Sequence, residues 1–194
     1  GVGAVINTAN AREEDSVAIV GLGGVGLSAL LASIAIGSKK TIAIDLSEEK
    51  LALARELGAD HTLNPKDENF LEKIRDLTSG GVNIAVETAG SGHALKTAYD
   101  ITRRGGTTVT AGMPGPKVEI TLSHLSIAAE ERIIKGSYMG SCIAQRDIPK
   151  YLDMFQTGNL PVDRLLSRKI KFEDLNEAMD RLDDAKTVRE VLIP

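Results

Sequence analysis

The sequence has one cysteine, no tryptophan and few aromatic residues of any kind. Among 194 residues there are three Phe and three Tyr. The single cysteine, Cys142, excludes a disulfide within the chain and is typical of a reducing compartment, so we expect a cytoplasmic protein. The core must be built largely from Ala, Val, Ile and Leu, which favours a parallel sheet covered by helices over an aromatic-rich β-sandwich.

Basic clusters, metal-binding patterns and uninterrupted apolar runs are also missing. The formal net charge is −4 and no run of Lys and Arg stands out, which argues against nucleic acid as a partner. The longest apolar stretch, residues 17–36, contains four glycines. It therefore predicts a strand, a turn and a buried helix, not a membrane span. His61, His93, His124 and Cys142 lie at none of the spacings typical of metal ligands.

Short β-branched runs alternate with helical patterns over the first 140 residues, which is typical of βαβ units. Strands are predicted at residues 17–20, 41–44, 61–63, 84–86, 107–111 and 133–138, with a further short strand near 118–121. Helices are predicted at 25–36, 48–57, 68–77 and 92–101. Right-handed crossovers between six parallel strands give the doubly wound α/β order 3-2-1-4-5-6 of a Rossmann fold.

Beyond Gly140 the alternation changes. Helices are predicted at 148–157 and 173–183, and short strands at 169–172 and 189–193. These elements do not continue the series of six strands. We therefore predict a Rossmann domain at 1–140 and a separately packed, small α+β segment at 141–194.

A glycine-rich turn, Gly21-Leu22-Gly23-Gly24-Val25-Gly26, joins the first predicted strand to its helix. Gly21 permits the tight turn, Gly23 lets a pyrophosphate approach the backbone, and Gly26 lets helix and strand pack closely. The helix that begins near Gly24 would point free N–H groups and its positive dipole end at the phosphates. A buried strand before the turn, an apolar helix after it and an acidic residue ending the next strand together predict a dinucleotide site. The alternative is a βα turn that holds no ligand.

That acidic residue is Asp45, whose carboxylate can accept hydrogen bonds from both hydroxyls of an adenosine ribose. A 2′-phosphate at the same place would meet like charge. At contact distance the repulsion is about 4 kcal/mol for an effective dielectric near 20, or roughly a thousandfold in affinity. The sequence therefore predicts NAD over NADP. Lys50, one turn into the next helix, could reach the same ribose or be a solvated surface lysine.

Small residues end the fourth and fifth predicted strands, where ligands of this fold bind. They are Thr88-Ala89-Gly90 and Ala111-Gly112-Met113. Small side chains there would leave room for the second nucleotide, although ordinary tight turns explain them equally well. Near the end of the chain, Arg189 taken alone is most simply a surface charge.

Several stretches resemble the coenzyme-binding half and the C-terminal tail of the zinc-type, medium-chain alcohol dehydrogenases. They include VAIVGLGGVGLS at 17–28, DLSEEK at 45–50, ARELGAD at 54–60, VETAG at 86–90, AGMP at 111–114, KGSYMG at 135–140 and VREVL at 188–192. The resemblance covers essentially the whole chain, in order and with similar spacing. It is therefore much more specific than the glycine turn alone.

The resemblance implies NAD as the coenzyme and gives a role to each matching residue. Contacts with the pyrophosphate and the nicotinamide side are implied for Gly23, Gly24 and Val25, with Arg189 on the pyrophosphate. The adenosine ribose would be held by Asp45 and Lys50. The nicotinamide pocket would be lined by Thr88, Gly112 and Met113. The carboxamide end would be contacted through the backbone of Ser137 and Met139.

The family's N-terminal domain, which supplies the catalytic zinc ligands and the proton relay, has no counterpart here. The chain begins without Met and runs directly into an apolar stretch, so we expect a piece of a longer polypeptide, although a start site followed by trimming would look the same. The implied reaction is oxidation of an alcohol, with a metal polarising the alkoxide while the hydride passes to NAD. We expect zinc in the longer protein but not on this chain, which would be inactive alone. The segment 141–194 would return to the catalytic domain.

Three other functions remain open. A zinc-free quinone-type reductase of the same superfamily usually prefers NADP and lacks the acidic residue, so Asp45 argues against it. A non-catalytic NAD-sensing domain would need a partner element, which residues 141–194 do not offer. A methyltransferase fits the glycine pattern less well. Pairing of two chains through a predicted edge strand at 117–122 is a further hypothesis that the resemblance suggests.

Overall fold

The computed structural model describes residues 1–181 and 188–193, and a six-stranded parallel sheet forms its centre. The strands are β1 (Ser16–Val20), β2 (Lys40–Ile44), β3 (His61–Leu63), β4 (Val82–Glu87), β5 (Thr102–Thr110) and β6 (Ile133–Gly136). Their order is β3-β2-β1-β4-β5-β6. The predicted doubly wound fold and strand order are confirmed.

Helices cover both faces of this sheet. They are α1 (Gly24–Ala35), α2 (Glu48–Glu56), α3 (Phe70–Thr78), α4 (Gly92–Ile101) and α5 (His124–Ala129). Successive side chains of a strand point to opposite faces, so β1 serves two core layers. Val17 and Ile19 pack in the layer that contains α1 and α2. Ala18 and Val20 pack in the layer that contains α3 and α4.

The C-terminal region adds α6 (Ala144–Gln156), β7 (Arg168–Ile170), α7 (Leu175–Arg181) and β8 (Glu190–Leu192). Strands β7 and β8 form their own parallel pair. However, Leu160 and Leu165 are buried in the same layer as α1, so this region also contributes to the main core. Of the helix predicted at 173–183, Leu175–Arg181 is helical, and residues 182 and 183 lie outside the described residues. The division at residue 140 stays a prediction.

The predicted strand near 118–121 is wrong. Residues 117–123 form no β-ladder and belong to no helix. The turn before this segment directs it across the start of α4, where a Cβ built on Gly92 would lie 3.1 Å from the Glu119 carbonyl and 3.3 Å from a Val118 methyl. A strand needs a hydrogen-bonded neighbour. The described residues offer none here.

Two further features were not predicted. A π-helical turn, Ala4–Ala9, precedes β1 and buries Ala4 and Val5 in the core. Strand β5 begins at Thr102, earlier than the predicted start at residue 107. Thr102 already pairs with β4, and residues 103–106 then bulge out of the ladder before pairing resumes at Thr107. In the described residues, no helix combines the length and apolarity needed to cross a bilayer.

Candidate coenzyme site

A cavity of about 390 Å³ opens at the carboxyl ends of β1, β2 and β4. Ligands of doubly wound folds bind at this edge of the sheet, where the strand order reverses. The predicted site residues that the structure brings together around the cavity are Gly21, Gly23, Asp45, Lys50 and Thr88. The remaining predicted residues lie outside this cavity lining, on neighbouring segments.

The glycine turn has the geometry expected from its three spaced glycines. Gly21 has φ +95°, and a Cβ built on Gly26 would lie 1.8 Å from the Gly21 carbonyl oxygen. The helix therefore packs directly on the turn. A Cβ at Gly23 would meet no atom within 4 Å. The space beside Gly23 is thus open, as a site for a ligand requires.

The first turn of α1 begins beside this open space. The N-cap residue is Gly23, which offers no side chain to cap the helix. In residues 1–181 and 188–193, the N–H groups of Gly24 and Val25 donate a hydrogen bond to no acceptor. Such groups, together with the positive end of the helix dipole, attract an anion. The side chain of Val25 is exposed.

Asp45 lies at the mouth of the turn and is joined to it. One carboxylate oxygen accepts a 2.6 Å hydrogen bond from the Leu22 N–H, and the other accepts a 2.9 Å bond from the Ser47 N–H. Ser47 in turn caps α2. Each carboxylate oxygen keeps a further acceptor position. The side chain is therefore fixed in place while it can still accept hydrogen bonds from a ligand.

One wall of the cavity was not predicted from the sequence. Leu46 and Pro65 line it after β2 and β3, and His93, Ala94 and Thr97 line it from the first turns of α4. His93 and Thr97 are one helical turn apart and follow the strand-end residues that were predicted. The order of strands could have indicated this helix, since its start lies at the same edge of the sheet.

Thr88 braces the glycine turn from the adjacent strand. Its hydroxyl donates to the Gly21 carbonyl at 2.7 Å. Next to it, the Glu87 carboxylate is buried and accepts from the Gly90 N–H at 2.6 Å and from the Thr110 hydroxyl at 2.7 Å. Glu87 thereby joins the ends of β4 and β5, a role that was not predicted.

The turn after β5 packs tightly on the turn after β4. Ala111 and Gly112 both donate their N–H groups to the Glu87 carbonyl, at 2.8 Å and 3.2 Å. A Cβ on Gly112 would lie 2.2 Å from the Gly90 nitrogen, so the small residue is required there. The side chain of Met113, by contrast, is 78% exposed.

Ser137 and Met139 lie on the segment that follows β6. Ser137 is buried, and its N–H donates to the Thr110 carbonyl at 2.8 Å. Met139 has φ +50° and is 77% exposed. The Thr8 hydroxyl, from the unpredicted π-helical turn, lies 2.7 Å from the Ser137 hydroxyl and 2.8 Å from that of Ser141. Residues distant in sequence thus hold this segment.

Asn7 and Asp147 also hold the segment that follows β6. The Asn7 side-chain amide donates to the Gly140 carbonyl at 3.1 Å and to the buried Asp147 carboxylate at 3.2 Å. Asp147 also accepts from the Ile143 N–H at 2.8 Å and from the Arg146 guanidinium. The Arg146 hydrogen bonds hold the pKa of Asp147 well below its ordinary value. We call Asn7, Thr8 and Asp147 the clamp residues.

Arg189 reaches the glycine turn from the far end of the chain. A guanidinium nitrogen of Arg189 would lie 2.8 Å from a Cβ built on Gly24. The backbone of Arg189 is held by Ser167, whose N–H donates to the Arg189 carbonyl at 2.7 Å and whose hydroxyl accepts from the Arg189 N–H at 3.2 Å. Within the described residues, no carboxylate pairs with the Arg189 guanidinium. As far as the described residues show, a cation without a carboxylate partner therefore lies beside the start of α1.

The residues that the structure describes do not form a zinc site. Among them, no group of three or more His, Cys, Asp and Glu side chains comes together where it could hold a metal ion. Zinc in structural and catalytic sites needs three or four such ligands. The arrangement around the glycine turn fits a phosphate-containing ligand with a ribose, and not a metal.

Comparison with known proteins places the chain among dehydrogenases. A family model described as zinc-binding dehydrogenase matches residues 24–157. The chain is 34% identical to geraniol dehydrogenase of Castellaniella defragrans and 34% identical to alcohol dehydrogenase class-2 isozyme 2 of Oryctolagus cuniculus. Both matches include all of this chain, but only 52% and 51% of those relatives.

A solved structure gives the same result. Benzyl alcohol dehydrogenase from Acinetobacter calcoaceticus is 32% identical and superposes with a TM-score of 0.95. The match covers 99% of this chain and 53% of that one. The chain thus spans about half the length of the proteins it matches.

Proposed function

The chain belongs to the zinc-binding dehydrogenase family, and we propose that it is the NAD-binding half of an alcohol dehydrogenase. The observation that carries this proposal is the position of Asp45, whose carboxylate is bonded to the glycine turn at 2.6 Å beside open space. In NAD sites of this fold, unpaired N–H groups at a helix start bind the diphosphate and a nearby carboxylate binds the ribose hydroxyls. When bound, NAD supplies the acceptor for a hydride.

The adenosine half of the coenzyme would be bound by Asp45 and the walls of the cavity. The free acceptor positions of Asp45 would take the two ribose hydroxyls, while Lys50 lies on the same cavity wall. Leu46 and Pro65 would offer apolar surface to the adenine. A 2′-phosphate would meet the Asp45 charge, so we expect NAD and not NADP.

The pyrophosphate would lie against the start of α1. The N–H groups of Gly24 and Val25 would donate to it, and Gly23 leaves the room that it needs. Arg189, beside Gly24, would add a charge-assisted hydrogen bond. Three independent features of the turn thus favour an anion at one place.

The nicotinamide would lie along the ends of β4 and β5 and the segment after β6. Thr88 and the Ala111–Met113 turn would form one wall, and the backbone of Ser137 and Met139 would contact the carboxamide. The clamp residues would hold that backbone in position. The chain's part in the reaction is therefore to orient the ring, while the groups that act on the alcohol would come from the rest of a longer protein.

Further parts of the proposal concern that longer protein and the isolated chain. We expect residues 141–194 to join its catalytic domain and zinc to be bound there. We expect the isolated chain to bind NADH without dehydrogenase activity. Pairing of two chains would use the segment 117–122, where Val118 and Ile120 are exposed.

Substitution of Asp45 tests the proposal. Because the chain has no Trp, NADH emission can be followed without energy transfer from tryptophan. Asp45→Gly should weaken NADH binding about 100-fold, the effect of losing two hydrogen bonds to a charged group. Asp45→Asn, which keeps an acceptor for the Leu22 N–H, serves as the folding control. Unchanged NADH affinity in folded Asp45→Gly would remove Asp45 from this role.

A further inference from the structure

A second cavity, of about 480 Å³, lies at the amino ends of β4, β5 and β6, at the opposite edge of the sheet from the coenzyme cavity. Four arginines line it: Arg75, Arg103, Arg104 and Arg132. We infer that this arginine cavity binds a small anion that carries two phosphate groups. The inference does not depend on the proposed coenzyme.

The two carboxylates of the arginine cavity are already paired with cations. Asp100 accepts 2.6 Å and 2.5 Å hydrogen bonds from the Lys96 ammonium, one helical turn away. Glu130 accepts a 2.5 Å bond from Arg132. These acids are therefore not available to neutralise the other arginines.

Within the part of the chain that the structure describes, three guanidinium groups of the arginine cavity have no carboxylate partner. In residues 1–181 and 188–193, no carboxylate forms an ion pair with Arg75, Arg103 or Arg104. All three residues are exposed. Such a concentration of positive charge stands out in a chain whose net charge is −4, and it creates a local attraction for anions.

The backbone holds two of these arginines on a defined bulge. Between ladder positions 102 and 107 of β5 there are four residues, where β4 has only residue 83. Gly105, with φ +66°, donates its N–H to the Glu130 carbonyl at 2.7 Å. On the other side, a Cβ built on Gly81 would lie 2.8 Å from the Arg103 nitrogen. The bulge is thus anchored on both sides.

Arg132 is fixed before any ligand arrives. Its guanidinium lies 4.7 Å from the centre of the Tyr99 ring and donates to the Tyr99 carbonyl as well as to Glu130. A cation over an aromatic ring is attracted to it. One wall of the arginine cavity is therefore preorganised, which lowers the entropy cost of binding.

The chemistry of the arginine cavity favours phosphate. A guanidinium group offers parallel N–H donors that match two phosphate oxygens. Three such groups suit a ligand with several negative charges, and the cavity is larger than one phosphate requires. Strands of five residues separate the two edges of the sheet by about 16 Å, so both cavities could be filled together.

Titration of the isotopically labelled chain with pyrophosphate tests the inference. Amide shifts of Gly80, Arg104 and Gly105 report on the arginine cavity, and those of Gly23 and Gly24 report on the glycine turn. We expect saturable shifts in the first group, with inorganic phosphate binding about tenfold more weakly. Shifts confined to Gly23 and Gly24 would overturn the inference.

Charge reversal supplies the matched comparison. Arg104→Glu should weaken the affinity of the arginine cavity for pyrophosphate at least about tenfold, because a strong charge-assisted hydrogen bond is replaced by a repulsion. Lys150→Glu, on the exposed surface of α6, changes the net charge by the same amount. It should change the affinity of the arginine cavity for pyrophosphate by no more than about twofold. Equal losses in the two variants would show a non-specific effect of charge and would contradict the inference. The amide spectrum of each variant verifies its fold.

Discussion

The two ends of the candidate coenzyme site are built in different ways. The proposed adenosine end consists of the glycine turn and Asp45, which are close in sequence and joined by a 2.6 Å hydrogen bond. The proposed nicotinamide end consists of Thr88, the Ala111–Met113 turn and the backbone of Ser137 and Met139. Its segments are held by contacts such as that between Asn7 and Asp147, which are 140 positions apart along the chain. The proposed adenosine end is formed by residues that are close in sequence, whereas the proposed nicotinamide end depends on tertiary contacts.

This difference predicts which substitutions should affect each end of the candidate coenzyme site. A substitution inside the glycine turn alters the turn itself and should abolish all coenzyme binding. A substitution in the clamp residues leaves the turn intact, so it should affect only ligands that reach the nicotinamide end. Ligands of two lengths, NADH and AMP, can therefore separate the two ends.

The largest effect is expected for Gly26→Ala. The new methyl group would lie 1.8 Å from the Gly21 carbonyl oxygen, so the backbone of the turn must move. We expect a destabilisation of about 3 kcal/mol and loss of binding for both NADH and AMP. Thermal unfolding and NADH emission measure the two effects.

Gly115→Ala is the matched control for that substitution. A Cβ on Gly115 would meet no atom within 4 Å. Its stability and its affinity for NADH should therefore stay near those of the unaltered chain. A Gly26→Ala chain that binds NADH normally would contradict the described packing of the turn.

A smaller and selective effect is expected for Asp147→Asn. The change weakens the hold of Asn7 and Arg146 on the segment near Met139. NADH should bind roughly fivefold more weakly, the order of one weakened hydrogen bond, while AMP should bind as before. Asp153→Asn, an exposed position on the same helix, is the control. An equal loss for NADH and AMP would count against a separate nicotinamide end.

The same substitution should change the response to acid. The folded-state pKa of Asp147 lies below its ordinary value of 3.8, so its contribution to stability is present above that value and is lost as pH falls through the lowered pKa. Asp147→Asn should therefore unfold with a shallower pH dependence below about pH 4. Acid titration followed by circular dichroism measures the slope, and an unchanged slope would contradict the assignment.

Local patterns explain what could be predicted from the sequence. The strand before Gly21, the helix after Gly23 and the carboxylate at Asp45 are set by short-range periodicity and turn chemistry, and the structure places them as expected. The strand order followed from the right-handed crossover rule. These features need only the residues near them in sequence.

Long-range contacts explain what could not be predicted. The π-helical turn at Ala4–Ala9 has no distinctive period, and its role becomes visible only through the contacts of Asn7 and Thr8 with residues 137–147. The incorrect strand at 118–121 had a suitable local pattern but no neighbour to pair with among the described residues. Glu87 lacked a signal because its partners, Gly90 and Thr110, come together only when β4 and β5 are adjacent.

The ratio of NADH to NADPH affinity tests the central claim most directly. Both dissociation constants can be measured on the unaltered chain by coenzyme emission in the same buffer. A carboxylate at the ribose should make NADH bind at least about 100-fold more tightly than NADPH. Equal affinities, or a preference for NADPH, would contradict the placement of the adenosine ribose at Asp45.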